Sequence, residues 1–177
     1  MYKEDWEKAA EMTFKILNLV HRPIWENYDK SEKKQVCEDF YYKVSHNGTN
    51  KSNLLTSSEA MLGKSTLDHW LTPRLVCRWI MDDNQEILDD LEEFEKLFRL
   101  CQSVIRITPK QNRDVMFKTD ADGIPTLEQT LEDKYSKFTF WSDEEECYIQ
   151  DKGFPLAHLI PEGFKEWEKR HIILNNA

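Results

Sequence analysis

The sequence predicts an α+β fold: one mostly helical domain over 1–177, with a small antiparallel sheet from the C-terminal half. Three observations predict it. Apolar residues recur at helical spacing through most of the first hundred positions. After Cys101 the pattern changes to short alternating runs rich in branched and aromatic side chains. Five Gly and six Pro in 177 residues imply short loops, and 40% hydrophobic residues with six Trp suffice for a buried core.

The elements follow in order. Residues 3–21 read as an amphipathic helix with Trp6, Ala9, Ala10, Thr13, Ile16, Leu17 and Val20 on one stripe, ended by Pro23. Asp29 and Glu32 have capping-box spacing at the start of a second helix, which reaches about Val44 and turns Val36, Cys37, Phe40 and Val44 inward. Residues 45–56 (SHNGTNKSNLLT) form an exposed loop. Thr56 or Ser57 caps a short helix that stops at Gly63. Thr72 before Pro73 starts another, with Leu75, Val76, Trp79 and Ile80 toward the core. Asn84 caps the next, to about Cys101.

Beyond it, SVIRIT (103–108) reads as a strand, and Thr108-Pro109 repeats the cap-then-proline device, with Val115 and Phe117 near the end of a short helix. Asp122-Gly123 marks a turn, and Thr126, with Gln129 at box spacing, begins a further helix. KFTFW (137–141) and CYIQ (147–150) form a hairpin around SDEEE. A last helix carries Phe164, Trp167 and Ile172.

A net charge of -9 and a pI near 5.1 argue against a general nucleic-acid coat, but allow a local basic pocket on an acidic body. Cys37, Cys77, Cys101 and Cys147 lack zinc-knuckle or redox spacing, which fits a reducing cytoplasm. The charged start MYKEDWEKAAEM reads as helix rather than signal peptide, and no apolar run reaches the roughly 20 residues of a membrane span.

The candidate site lies in Thr56 to Met81, TSSEAMLGKSTLDHWLTPRLVCRWIM. Arg74 and Arg78 are four apart and share a helix face. Asp68 and His69 precede the Thr72 cap, and Lys64 stands shortly upstream. A helix start attracts anions, because its N–H groups are unpaired and the macrodipole is positive there. In metal-independent phosphodiester chemistry, His69 with Asp68 would serve as general acid or base, and Lys64 would stabilise charge. Arg74, Arg78 and Thr72 would bind phosphate. The same residues admit a structural reading, in which the arginines pair with carboxylates such as Asp82, Asp68 caps a turn and His69 is half-buried.

Other chemistries find less support. His21, His46, His69, His158 and His171 are scattered, without HExxH or CxxC, so no metal site is built from local ligands. An HNH nuclease needs an Asn and second His suitably placed after His69. The Mg²⁺-dependent carboxylate-lysine spacing occurs at Asp122, Glu132 and Lys134, but the last two fall on a helix where that pattern needs a strand. There is no GxxxxGK[ST], GxGxxG or GxSxG motif.

Lys64 to Arg74 (KSTLDHWLTPR), the apolar and acidic helices after it, and VIRITPKQN (104–112) resemble small uncharacterised proteins encoded by tailed phages. The resemblance covers about 57–118 and assigns no catalytic role. It implies a phage-encoded cytoplasmic protein and favours nucleic-acid processing, or inhibition of host enzymes, over metabolism. Two functions follow as expectations. One is a protein acting on nucleic-acid phosphates, a small nuclease included, whose cofactor the sequence leaves open, Mg²⁺ being a candidate. The other is a non-enzymatic acidic protein that binds and inhibits a host or defence protein, through the acids between Asp82 and Glu95 and its tryptophans.

Overall fold

In the computed structural model, which describes residues 4–116, 118–121, 129–149 and 153–176 (side chains to Ile172), the first helix is shorter than its apolar stripe. Helix α1 spans Asp5–Ile16 and is followed by a π-helical turn, Leu17–His21, and a 3-10 segment, Arg22–Asn27. Pro23 sits inside that 3-10 segment rather than ending the run. Leu17 of the stripe is buried, as expected, while Ile16 and Val20, also expected in the core, face solvent.

Contacts gather the chain into two compact units. One comprises Met1–Asn50, Thr72–Gln102 and Thr119–Ile124, the other Lys51–Leu71, Ser103–Lys118 and Pro125–Ala177. The first is helical. Helix α2 (Lys30–His46) opens with the expected box: Asp29 accepts from the Glu32 N–H at 2.9 Å and Glu32 from the Asp29 N–H at 2.8 Å. Helix α3 spans Pro73–Asp83. A 3-10 segment, Gln85–Asp89, separates it from α4 (Leu91–Cys101), so Asp90 rather than Asn84 is the cap, accepting from Glu92 and Glu93. The packing is aromatic: the Phe40, Phe94 and Phe98 rings meet at centroid distances of 6.0–6.4 Å. Cys37, Cys77 and Cys101 are free, buried thiols; Cys147, in the other unit, is exposed.

The second unit holds five strands in the order β2-β3-β1-β4-β5. They are β1 Leu55–Ser57, β2 Thr66–His69, β3 Val104–Ile107, β4 Phe140–Ser142 and β5 Cys147–Ile149. Strand β1 runs parallel to β3 and the other pairs are antiparallel, so the sheet is mixed. Strand β1 falls where the sequence indicated the end of a loop and the start of a helix, and β2 in the connection between two predicted helices. Leu54, Leu55 and Thr56, at the end of the 45–56 loop, are buried. Ser57 still caps something: its hydroxyl accepts from the Ala60 N–H at 3.2 Å, holding the 3-10 turn Ala60–Leu62.

Helix α5 (Pro109–Val115) has the Thr108–Gln111 box, and α6 (Leu131–Tyr135) is capped by Thr130. Helix α7 spans Glu162–Asn176 and buries Phe164, Trp167 and Ile172. Trp70, Tyr135 and Phe140 surround Phe154 at ring distances of 5.0–6.0 Å. Phe117, the Asp122-Gly123 turn, Thr126 and Gln150 lie outside the described residues. The fold is α+β and mostly helical, and no helix among the described residues is long and apolar enough to cross a membrane.

Candidate functional site

Of the six candidate residues, three belong to each unit. Thr72 occupies the N-cap position of α3, but its hydroxyl makes no capping bond, so the cap is one of position and proline alone. Arg74 donates from Nε to Glu38 Oε1 at 2.7 Å, and its guanidinium carbon lies over the Tyr41 ring, 3.8 Å from the centroid. Arg78 is nearly buried. Its Nε donates to Asp82, whose other oxygen accepts from Trp25 Nε1 at 2.8 Å. Both guanidiniums thus have carboxylate and aromatic partners within the chain. For a guanidinium so buried, the carboxylate compensates lost hydration, and the pair reads as structural.

Lys64 is exposed, just ahead of β2. Asp68 and His69 are consecutive residues of β2, and consecutive strand residues point to opposite faces. They therefore do not make an Asp–His hydrogen bond. Asp68 accepts a short hydrogen bond from the Tyr135 hydroxyl instead. His69 Nε2 is buried with no hydrogen-bond partner, and burial, opposed by Asp68, lowers the imidazole pKa below its ordinary value. The ring is neutral at pH 7. Clefts of about 550 Å³ and 130 Å³ beside α1 include none of the six residues.

Behind Asp68 lies a group of buried ionisable side chains that no local motif announces. Lys134 Nζ donates to the Val115 carbonyl at 2.8 Å, and burial, opposed by Asp68 and Glu168, lowers its pKa to about 8. Glu168 accepts from the Leu131 N–H at 2.5 Å, at the start of α6, and burial raises its carboxyl pKa to about 7. Lys134 and Glu132 lie on α6, so the acid-x-Lys spacing is helical, as the sequence indicated. Among the described residues, no group of three or more His, Cys, Asp or Glu could hold a metal ion.

The opposite sheet face carries an arrangement the sequence analysis missed. The registers align Leu67 with Arg106, Arg106 with Thr56, Thr56 with Trp141, and Trp141 with Tyr148. Directly opposed residues share a face, so these five side chains form one row across all five strands. Leu67 is 41% and Tyr148 45% exposed, and the Trp141 and Tyr148 rings meet edge to face at 5.1 Å. Thr56, in mid-row, is only 1% exposed, and its Oγ1 has no hydrogen-bond partner. Beside it the half-buried Arg106 has no hydrogen-bond or ion-pair partner among the described residues.

The row's charges are graded. Lys64 lies beyond the Thr66 end of β2, whereas the exposed turn of Asp143, Glu144, Glu145 and Glu146 joins β4 to β5 at the opposite end of the sheet. Chemically, the row offers an anion the half-buried Arg106 guanidinium and offers a planar ring the Trp141 and Tyr148 side chains, while the Thr56 hydroxyl is enclosed. Only the alternation within VIRIT and FTFW hinted at it; the register that aligns them is set by pairing between distant segments.

No family model matches the chain, and no curated protein or solved structure matches it.

Proposed function

We propose that the protein binds single-stranded nucleic acid through the sheet face bearing Leu67, Arg106, Thr56, Trp141 and Tyr148. The observation that carries this reading is the presence, in one cross-strand row, of an aromatic pair and the half-buried Arg106 guanidinium, which has no hydrogen-bond or ion-pair partner among the described residues. Unstacked bases lie well on aromatic rings, and a guanidinium suits a phosphate. The acidic β4–β5 turn repels phosphates from one end, so the backbone would track toward Arg106 and Lys64 while bases stack on Trp141 and Tyr148. The resemblance to phage-encoded proteins favours the same class of ligand.

The reading is one of binding rather than cleavage. Asp68 and His69 diverge, and the arginines once assigned to phosphate have carboxylate partners. Fluorescence anisotropy of a labelled oligonucleotide, DNA and RNA in parallel, tests it. Each stacked base is worth about 1–3 kcal/mol, so Trp141→Ala should weaken binding by about five- to a hundredfold. Arg106→Ala should weaken it as well, and His69→Ala should not. Absence of saturable binding at low salt would remove the proposal.

A second reading rests on a different observation. Asp83, Glu86, Asp89, Asp90, Glu92 and Glu93 are all exposed, which favours contact with a basic surface on a host or defence protein. Charge reversal at Glu86 and Glu92 should abolish such an interaction, and capture that survives the reversal would count against it.

A further inference from the structure

Between the first helical run and α2, the helical unit holds a cavity of about 130 Å³. Val36, Asp39, Phe40 and Lys43 line it from α2; three and four residues apart, they share one face of that helix. Thr13, Leu17 and His21 line it from the other side. Leu17, Val36 and Phe40 are buried, and Thr13 spends its hydroxyl on the Ala9 carbonyl at 2.6 Å, so the inner wall is apolar. Leu17 and His21 are the two ends of the π turn, a rare winding that concentrates at functional positions.

The rim is charged. Asp39 and Lys43 are exposed and one turn apart, a spacing at which an acid and a lysine ordinarily pair, yet they make no ion pair with each other. Asp39 accepts a hydrogen bond from Gln35 at 2.9 Å, and Lys43 Nζ has no hydrogen-bond or ion-pair partner among the described residues. His21 adds no charge: burial lowers its pKa, against the pull of Asp39, and its Nδ1 is engaged with the Tyr28 hydroxyl at 2.9 Å. The cavity therefore presents one negative and one positive group above an apolar floor.

From this arrangement we infer that the cavity binds a free aliphatic α-amino acid, its ammonium on Asp39, its carboxylate on Lys43 and its side chain against Leu17, Val36 and Phe40. Charge complementarity selects the zwitterion. A simple anion would meet Asp39 and a body of net charge -9, and a simple amine would face Lys43. An amino acid is neutral overall and answers both groups at once, because its two charges sit on a single carbon. Size selects the side chain. A cavity of about 150 Å³ lined by aliphatic and aromatic residues holds a benzene. The space here is slightly smaller, so it takes the branched chain of leucine or isoleucine and rejects the fused rings of tryptophan. The cavity belongs to the helical unit, and the inference does not depend on the nucleic-acid reading.

Isothermal titration of the full chain with L-leucine, L-leucinamide and 4-methylpentanoate tests it, since the second lacks the carboxylate and the third the ammonium. L-Leucine should bind saturably with a dissociation constant at or below about 1 mM. Each analogue should bind at least about tenfold more weakly, the effect of one lost charge-assisted hydrogen bond. Lys43→Met should weaken leucine binding at least about tenfold and erase its advantage over leucinamide. Asp39→Asn should weaken it similarly and erase the advantage over 4-methylpentanoate. Lys34→Met, on α2 but outside the cavity lining, should change nothing. All three positions are exposed, so matching thermal melts verify folding. No saturable heat with leucine up to about 10 mM overturns the inference. So do equal affinities for leucine and either analogue, tryptophan binding as tightly as leucine, or a leucine affinity that both variants leave unmoved.

Discussion

Arg78 and Arg106 show how the same side chain serves opposite ends in one chain. Arg78, with Asp82 and Trp25 against it, should behave as scaffold. Arg78→Ala strands a carboxylate and should cost about 3 kcal/mol in denaturant unfolding, while oligonucleotide affinity, measured where the variant is folded, stays the same. Arg106→Ala should do the reverse. The buried pair at α6 gives a pH signature. The Glu168 carboxyl is raised from 4.5 to about 7, so the folded state holds that proton more tightly than the unfolded one. Its stabilisation is complete below about pH 4.5 and is lost as pH rises through 7. Lys134 is lowered from 10.5 to about 8, so its stabilisation is present above about pH 10.5 and is lost as pH falls through 8. Melting temperature should therefore fall between pH 4.5 and 7 and recover between 8 and 10.5. Glu168→Gln should flatten the first limb and Lys134→Met the second.

Helices and strands differ in how far the sequence reveals them. The boxes at Asp29–Glu32 and Thr108–Gln111 could be read directly, because cap and responder are three residues apart and the bond is local. Thr72 had the same outward look and makes no such bond. Replacing Asp90 by Ala should thus cost about 1 kcal/mol in unfolding free energy, whereas Thr72→Ala should cost at most a few tenths. Strands β1 and β2 were not legible. They have three and four residues, and what holds them extended is pairing with β3 and β4, far along the chain. The candidate site shared that fate. Thr56, Leu67, Arg106, Trp141 and Tyr148 become neighbours only through register, and no window of sequence spans them. The nearby Lys64-to-Arg78 cluster was conspicuous because it is contiguous, yet a strand's alternation separates Asp68 from His69, and Glu38 and Asp82 engage its arginines.

For the molecule as a whole, an acidic body with one short cationic track should bind nucleic acid with a shallow salt dependence. If Arg106 and Lys64 meet two phosphates, the slope of log affinity against log salt on single strands should be about -1.4; a slope several times steeper would point to a broader basic surface. The distribution of thiols has a practical consequence for following such experiments. Cys147 is exposed on β5, next to Tyr148, while Cys37, Cys77 and Cys101 are enclosed in the helical unit. A maleimide fluorophore added to the native chain should therefore attach once, one residue from the stacking row, and report on ligand arrival without mutagenesis. The three slower alkylations then clock the opening of the helices, so a single mass-spectrometric time course reads occupancy at one end of the chain and breathing at the other.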